Sequence, residues 1–158
     1  MIQKKADVET LKTLRGECEF LFAKIDSHAV ELNEHIAKMP QKAFVIASAY
    51  TLSSIYSCYE DMFKHIAKVF ENRIENLSSW HSELLKRMII EVPEIRPAVL
   101  TEKVIVILDE MRSFRHVFRN SYVFVIDADR VLVISKRWNV AKDEIKKEIM
   151  DFLKKIDA

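Results

Sequence analysis

The sequence predicts an all-α fold, a bundle of about five helices in which two long helices pack antiparallel. The 158 residues include only one glycine and three prolines, so the chain is poor in the glycines that hairpin turns and phosphate-binding loops generally require. Apolar residues make up 49% of the chain and charged residues 31%, a balance typical of a folded domain. Apolar side chains also recur at three- and four-residue intervals, which is the pattern of amphipathic helices.

The first half of the chain predicts two long helices. An apolar stripe predicts the first helix over residues 4–38, and Pro40 then breaks the pattern. A second stripe predicts a helix over about residues 41–76, and small residues on one side of it permit close approach of a neighbour. Because the connection is short, the two helices should pack antiparallel. The first stripe consists of Val8, Leu11, Leu14, Cys18, Leu21, Phe22, Ile25, Ala29, Leu32 and Ile36.

Two connections in the second half are marked by helix caps and prolines. Ser78 and Ser79 suit the N-cap of a third helix over about residues 80–91. Pro93 and Pro97 then bracket a segment that we expect to be an extended linker.

The last third of the chain predicts two more helices. Thr101 suits the N-cap of a fourth helix that ends near Asn120. Residues 122–126 form a short β-prone run, and residues 127–158 read as a final amphipathic helix. With no repeat or linker that suggests a boundary, residues 1–158 are expected to form one domain.

Composition gives little indication of a ligand. The formal net charge is +1, so a nucleic-acid site would need local clustering of basic residues. Cys18 and Cys58 lie in apolar helical patterns, which favours reduced core cysteines. The sequence has no signal-peptide pattern, no membrane span and no nucleotide or metalloprotease motif, so we expect a cytoplasmic protein without a cofactor.

The densest group of chemically useful side chains lies between Arg112 and Tyr122. Helical spacing places Arg115, Arg119 and Tyr122 near one face, with His116 and Asn120 in an adjacent row. Two guanidinium groups one turn apart suit an anion, and arginine binds phosphate with two parallel hydrogen bonds. The apolar residues that we expect to hold the other side in the core are Met111, Phe114, Val117 and Phe118.

Structural explanations compete with each functional one. Arginine, histidine and asparagine near a helix C-terminus are also ordinary capping and dipole-matching residues. His28 and His35 could share a metal-binding face, but the sequence offers no convincing further ligands. The adjacent carboxylates of Glu60 and Asp61 look structural because neighbouring helical residues point in different directions. His65 and His81 are expected to be interhelix or surface residues, and we expect no metal site.

Four segments of the chain follow one another in a recognisable order. They are SAYTLSSIYSCYEDMFKHIAKVF, with its acidic Glu60, then SSWHSELLKRM, RPAVLTEKVIVILDEMRSFRH and FRHVFRNSY. Together they resemble the HepT-like branch of the HEPN superfamily over roughly residues 10–150. The resemblance implies a helical bundle that dimerises so that the motif helices of two subunits face one cleft. It also implies a metal-independent endoribonuclease, a toxin paired with a small nucleotidyltransferase antitoxin of the MntA type.

The family motif is an arginine, four residues, a histidine, one residue and a tyrosine. By this resemblance Arg115 is the motif arginine and would bind the scissile phosphate, while His116, Arg119 and Arg112 would support substrate binding. Asn120 occupies the histidine position, and an amide cannot exchange a proton usefully near neutral pH. Three explanations for this asparagine remain open. It is the natural residue of a binding or regulatory protein, or an engineered replacement that inactivates a toxin, or His116, one turn earlier, takes over the proton transfer.

Tyr122 matches the tyrosine that the antitoxin modifies with AMP in this family, although packing at a helix end is the simpler role. The leading hypothesis is a homodimeric HepT-like ribonuclease toxin, or an inactive form of one, with RNA as substrate. The alternative is a non-catalytic HEPN module that binds a nucleotidyltransferase or nucleic acid.

Overall fold

A computed structural model describes residues 6–71, 80–120 and 126–157. These residues form five helices, α1 (Val8–Ile36), α2 (Lys42–Phe70), α3 (Trp80–Arg87), α4 (Glu102–Asn120) and α5 (Ala128–Asp157). The all-α prediction is therefore confirmed. The expected caps Ser78 and Ser79, the expected end of the second helix at Asn76 and the β-prone residues 122–125 lie outside the described residues.

The two long N-terminal helices pack antiparallel, as the short connection predicts. Near one end of the pair, the rings of His35 and Phe44 have centroids 6.2 Å apart. Near the other end, His65 Nδ1 lies 3.2 Å from a carboxylate oxygen of Glu17. The first helix begins after Asp7, whose carboxylate accepts a 2.8 Å hydrogen bond from the backbone N–H of Thr10, a standard N-cap.

Helix α2 is the centre of the bundle and contacts all four other helices. Its fully buried side chains include Tyr56, Tyr59 and Phe63. The indole of Trp138 on α5 donates a 3.0 Å hydrogen bond to the hydroxyl of Tyr59, so the two largest buried residues of this region satisfy each other's polar atoms. A central helix of this kind can present side chains to a site formed with α3 and α4.

The predicted third helix and linker are both wrong in detail. Helix α3 ends at Arg87 instead of near residue 91, and the segment between the prolines is a closed turn. Val92 and Arg96 exchange two backbone hydrogen bonds of 3.0 Å, and Glu94 adopts a positive φ of 65°. The guanidinium of Arg96 explains the compact form, because it donates to the carbonyl groups of Arg87 and Ile90 and so satisfies the helix end.

Three expected side-chain positions need correction or refinement. Val8 is 68% exposed and Val117 is 63% exposed, so neither belongs to the core. The hydroxyl of Thr101 hydrogen-bonds to Glu148 on α5, so it ties α4 to α5 at that end. The remaining stripe of α1 is buried or half-buried as predicted.

The two cysteines are buried and unbonded to each other, as expected. Burial raises the pKa of the Cys18 thiol to about 12, which leaves it protonated and unreactive. Among the described residues, no helix combines the length and hydropathy needed to cross a lipid bilayer.

Candidate active site

The C-terminal half of α4 and the start of α3 enclose a cleft of about 210 Å³. Its lining carries three guanidinium groups, two imidazoles and one amide, from Arg112, Arg115, Arg119, His81, His116 and Asn120. Five of these six residues come from the predicted segment of α4, because spacings of three and four residues align them along one side of the helix. The sixth, His81, comes from α3.

Arg115 is a buried arginine, with 4% of its surface exposed. Its Nη2 donates a 2.7 Å hydrogen bond to Glu60 on α2, and its Nη1 donates a 3.1 Å bond to the hydroxyl of Ser57. The guanidinium carbon also lies 4.7 Å from the centroid of the Tyr56 ring, a cation–π contact. Arg115 is thus held in place by three residues of α2, and these hydrogen bonds use two of its five N–H groups.

Glu60 is the buried anion of the site, with 4% of its side chain exposed. Burial raises the pKa of the Glu60 carboxyl, but the hydrogen bond and charge of Arg115, with smaller contributions from His81, lower that pKa to below its usual range. The carboxylate is therefore ionised near neutral pH. Its two strong partners lie on α4 and α3, so this one side chain joins three helices.

His81 shares the same carboxylate oxygen as Arg115. Its Nδ1 lies 2.8 Å from Glu60 Oε2, and because an ionised carboxylate only accepts hydrogen bonds, Nδ1 carries the proton. Arg115 Nη2 lies 3.3 Å from His81 Nδ1, but the two nitrogens do not bond to each other. They are close because both donate to the same oxygen, Glu60 Oε2. The imidazole also lies against the indole of Trp80, with ring centroids 3.6 Å apart and ring planes tilted by 33°.

The charges of the other two arginines, Arg112 and Arg119, have different partners. Arg112 makes a 2.9 Å hydrogen bond through Nε, and an equally short contact through Nη2, to one carboxylate oxygen of Asp109. Arg119 has no carboxylate partner within the described part of the chain and makes only a long 3.5 Å contact with the Ser57 hydroxyl. Arg119 is therefore the arginine whose charge is most available to an anion.

His116 and Asn120 form a polar pair at the exposed end of α4. The Asn120 amide nitrogen donates a 2.8 Å hydrogen bond to the carbonyl of His116 and lies 3.3 Å from His116 Nδ1. Because the carbonyl bond identifies that amide atom as the donor, His116 Nδ1 acts as an acceptor. The neutral imidazole of His116 then carries its proton on Nε2.

The structure brings together Arg112, Arg115, His116, Arg119 and Asn120, as the sequence predicts, but it assigns them no activity. Tyr122 lies outside the described residues. Sequence reasoning did not place two further residues at the site: Glu60, whose carboxylate bonds to Arg115, and His81, which lines the cleft. The signal that pointed to them was their presence in the family-like segments, and not their spacing.

In the part of the chain that the structure describes, no group of three histidine, cysteine, aspartate or glutamate side chains is arranged to hold a metal ion. His28 instead lies 3.6 Å from a carboxylate oxygen of Glu31 on the same helix.

The fold and the cleft define a HEPN-type helical bundle, in which a polar motif on one helix faces a neighbouring helix. The family model described as HepT-like protein matches residues 47–156, a range that contains α2 from its first turns, all of α3 and α4, and nearly all of α5. The chain belongs to this HepT-like family. Comparison with curated proteins and with solved structures found no match.

Proposed function

We propose that this HepT-like protein is a metal-independent endoribonuclease toxin whose cleft binds the RNA backbone. The observation that carries the proposal is the convergence of three arginines and two imidazoles on one small cleft. Arginine suits phosphate because its planar fork forms parallel hydrogen bonds. Imidazole suits proton transfer near neutral pH. Together they provide the two functions that cleavage by the ribose 2′-hydroxyl requires.

Each cleft residue has a distinct role in this proposal. Arg119 binds a backbone phosphate, since its charge is unpaired within the described chain. Arg115 uses its remaining N–H groups to stabilise the negative charge that develops on the scissile phosphate, and Glu60 and Ser57 hold it rigidly for that purpose. Arg112 adds charge beside them, although Asp109 reduces its contribution.

Position 120 limits the rate in this proposal. Asn120 can hydrogen-bond a phosphate oxygen or the 2′-hydroxyl but cannot exchange a proton. Loss of general acid–base catalysis typically lowers a rate by about 10²–10⁴-fold. The chain is therefore expected to cleave RNA slowly, or only with help from another imidazole of the cleft.

Membership in the HepT-like family supports a proposal for how the protein is regulated. Two copies of the chain would form a homodimer in the cytoplasm, and a small MntA-like nucleotidyltransferase would act as the antitoxin. Tyr122 follows the last residue of α4 by two positions, so an AMP group attached there would bring negative charge close to Arg119. Such a group would compete with RNA for the cleft.

Cleavage is tested with single-stranded RNA in EDTA, using the natural chain and an Asn120→His variant. We expect slow cleavage by the natural chain and cleavage faster by about 10²-fold or more by Asn120→His. An oligonucleotide of the same sequence made of DNA should resist both proteins because it lacks the attacking hydroxyl. If neither protein cleaves RNA, the ribonuclease proposal is wrong.

Binding is tested with the uncleavable DNA oligonucleotide at several salt concentrations. Arg119→Ala should weaken binding and reduce the slope of log affinity against log salt by about 0.7, the value for one phosphate contact to a single strand. Arg137→Ala is the matched control, because Arg137 is an exposed arginine on α5 that pairs with Glu110 away from the cleft. Equal slopes for both variants would contradict the assignment of Arg119.

A second candidate function is a non-catalytic module that binds a nucleotidyltransferase or nucleic acid. It is favoured by Asn120, which bonds to its own helix. This reading requires that Asn120→His and the natural chain both leave RNA intact while the chain still forms a complex with the purified nucleotidyltransferase, or still binds RNA. Absence of both complexes would exclude it.

A further inference from the structure

The cleft lacks a proton-exchanging group at position 120 but contains two other imidazoles, those of His81 and His116. We propose that His81 is the group that accepts the 2′-hydroxyl proton in this chain, and that Glu60 is its positioning residue. The inference rests on the ribonuclease function proposed above. It differs from that proposal in assigning the proton transfer to a residue of α3, outside the motif segment of α4.

Glu60 fixes both the orientation and the tautomer of His81. The 2.8 Å bond to the buried carboxylate engages Nδ1, and Nε2 has no hydrogen-bond partner among the described residues. The neutral ring therefore presents a lone pair on Nε2, the arrangement in which a carboxylate-bound imidazole serves as a base. The indole of Trp80 covers one face of the ring, and Lys64 in turn lies 4.5 Å from the centroid of that indole. These contacts limit rotation of the ring.

His116 lacks this arrangement. Its Nδ1 accepts from the Asn120 amide, so its neutral form has the proton on Nε2 and can donate a hydrogen bond but not accept the hydroxyl proton there. It is also exposed and has no carboxylate beside it in the described chain. The two imidazoles of the cleft thus have opposite tautomers, and the basic one is His81.

The charges around His81 come from two helices. They are Glu60 and Lys64 on α2, and Arg112, Arg115, His116 and Arg119 on α4. The carboxylate of Glu60 contacts the imidazole directly, and the three arginines line the same cleft.

The reaction step transfers one proton and exchanges one bond. His81 Nε2 removes the proton of the 2′-hydroxyl as that oxygen forms a bond to the adjacent phosphorus. The bond from phosphorus to the 5′-oxygen breaks, and the leaving oxygen takes a proton from water. The products are a 2′,3′-cyclic phosphate and a 5′-hydroxyl, and His81 then gives its proton to solvent.

The discriminating variant is His81→Asn. Its side-chain amide can place a donor where Nδ1 lies, which preserves the bond to Glu60, but it has no nitrogen that exchanges protons. Its matched control is His65→Asn, because His65 is as exposed as His81 and also has a glutamate partner, Glu17, away from the cleft. Thermal unfolding of both variants verifies that each is folded.

We expect His81→Asn to lower kcat for RNA cleavage in EDTA by about 10²–10⁴-fold with little change in KM, and His65→Asn to leave kcat unchanged. Free imidazole should restore part of the activity of His81→Ala. His116→Ala should retain more activity than His81→Asn. Glu60→Gln should move the ascending limb of the pH–rate profile to lower pH, because the variant lacks the negative charge that favours the imidazolium.

The outcomes separate this inference from the proposed function. If the natural chain cleaves RNA and His81→Asn does so equally well, His81 is not the base while the ribonuclease function stands. If Asn120→His cleaves RNA and the natural chain does not, the cleft is a ribonuclease site, but His81 is not sufficient to accept the 2′-hydroxyl proton. That result overturns the inference. If neither the natural chain nor Asn120→His cleaves RNA, both proposals fail.

Discussion

Two buried arginines of this protein form ion pairs with glutamates, one with the half-buried Glu71 and one with the buried Glu60, yet the two arginines are bonded very differently. Arg96 donates from all five of its N–H groups, two to Glu71 and three to the backbone carbonyls of Arg87, Ile90 and Pro97. Arg115 donates to Glu60 and to Ser57, which uses two of five. Arg96 therefore has no N–H group left to donate to a ligand, whereas Arg115 has further N–H groups and lines a cleft.

The difference shows that burial and ion pairing do not by themselves separate an arginine that is fully bonded within the protein from one that has donors left for a ligand. Both guanidinium groups are almost fully buried, at 3% and 4% exposure. What separates them is whether the protein supplies acceptors for every donor. Arg96 stabilises the turn after α3, whereas Arg115 keeps N–H groups that no described residue accepts.

The largest expected effect is the loss of Arg96. Arg96→Met should lower the free energy of unfolding by about 3–5 kcal/mol, because it leaves three carbonyl groups without their donor and the Glu71 carboxylate with only the 3.5 Å contact to Arg87. Arg96→Lys should recover little of this loss, since an ammonium group has three donors and lacks the planar fork. Urea denaturation measures both values. Arg137→Met on the surface is the control and should cost at most about 1 kcal/mol. A loss at Arg96 no larger than this control would break the comparison.

A smaller loss of stability is expected at Arg115. Arg115→Met should lower the free energy of unfolding by about 2 kcal/mol, because His81 and Lys64 remain near the Glu60 carboxylate. It should also abolish RNA cleavage at temperatures where the variant is folded. Arg115→Lys should regain part of the stability but little of the activity, because the fork geometry is lost.

The stability of each Arg115 variant has to be measured separately from its activity, because a variant that unfolds also loses activity. Urea denaturation and the RNA cleavage assay are therefore applied to the same preparations of the Arg115 variants. An Arg115→Lys variant with natural cleavage rates would contradict a role for the parallel donors of the guanidinium.

The smallest expected effect is a loss of stability at low pH. The pKa of Glu60 is depressed in the folded protein, so the ionised carboxylate stabilises the fold fully above its unfolded pKa, near 4.5. This contribution is lost as the pH falls through the lower folded pKa. Between pH 7 and pH 3 the natural chain should therefore lose more stability than Glu60→Gln, which has no carboxyl to protonate. Urea midpoints measured across this pH range check the difference, and parallel curves would show that Glu60 does not contribute.

Much of the fold was predictable because helical periodicity is a local property. The apolar stripes predicted both long helices and their antiparallel packing, and the scarcity of glycine favoured helices over sheet. The errors concern positions where tertiary contacts decide. Val117 fits an apolar stripe by spacing but faces outward. The segment between Pro93 and Pro97 reads as extended, yet the side chain of Arg96 closes it into a turn.

The candidate site also has one part that the sequence predicts and one part that depends on tertiary contacts. Spacing along one helix predicted that Arg115, His116, Arg119 and Asn120 lie together, because residues three and four apart share a side of a helix. No spacing rule relates Glu60, His81 and Arg115, which are separated by 21 and 34 residues in sequence. Only the packing of α2, α3 and α4 places two donors on one buried carboxylate oxygen. The sequence alone thus determined the helices and the row of cationic side chains. The tertiary structure decided which arginine is fully bonded and which imidazole is paired with a buried carboxylate.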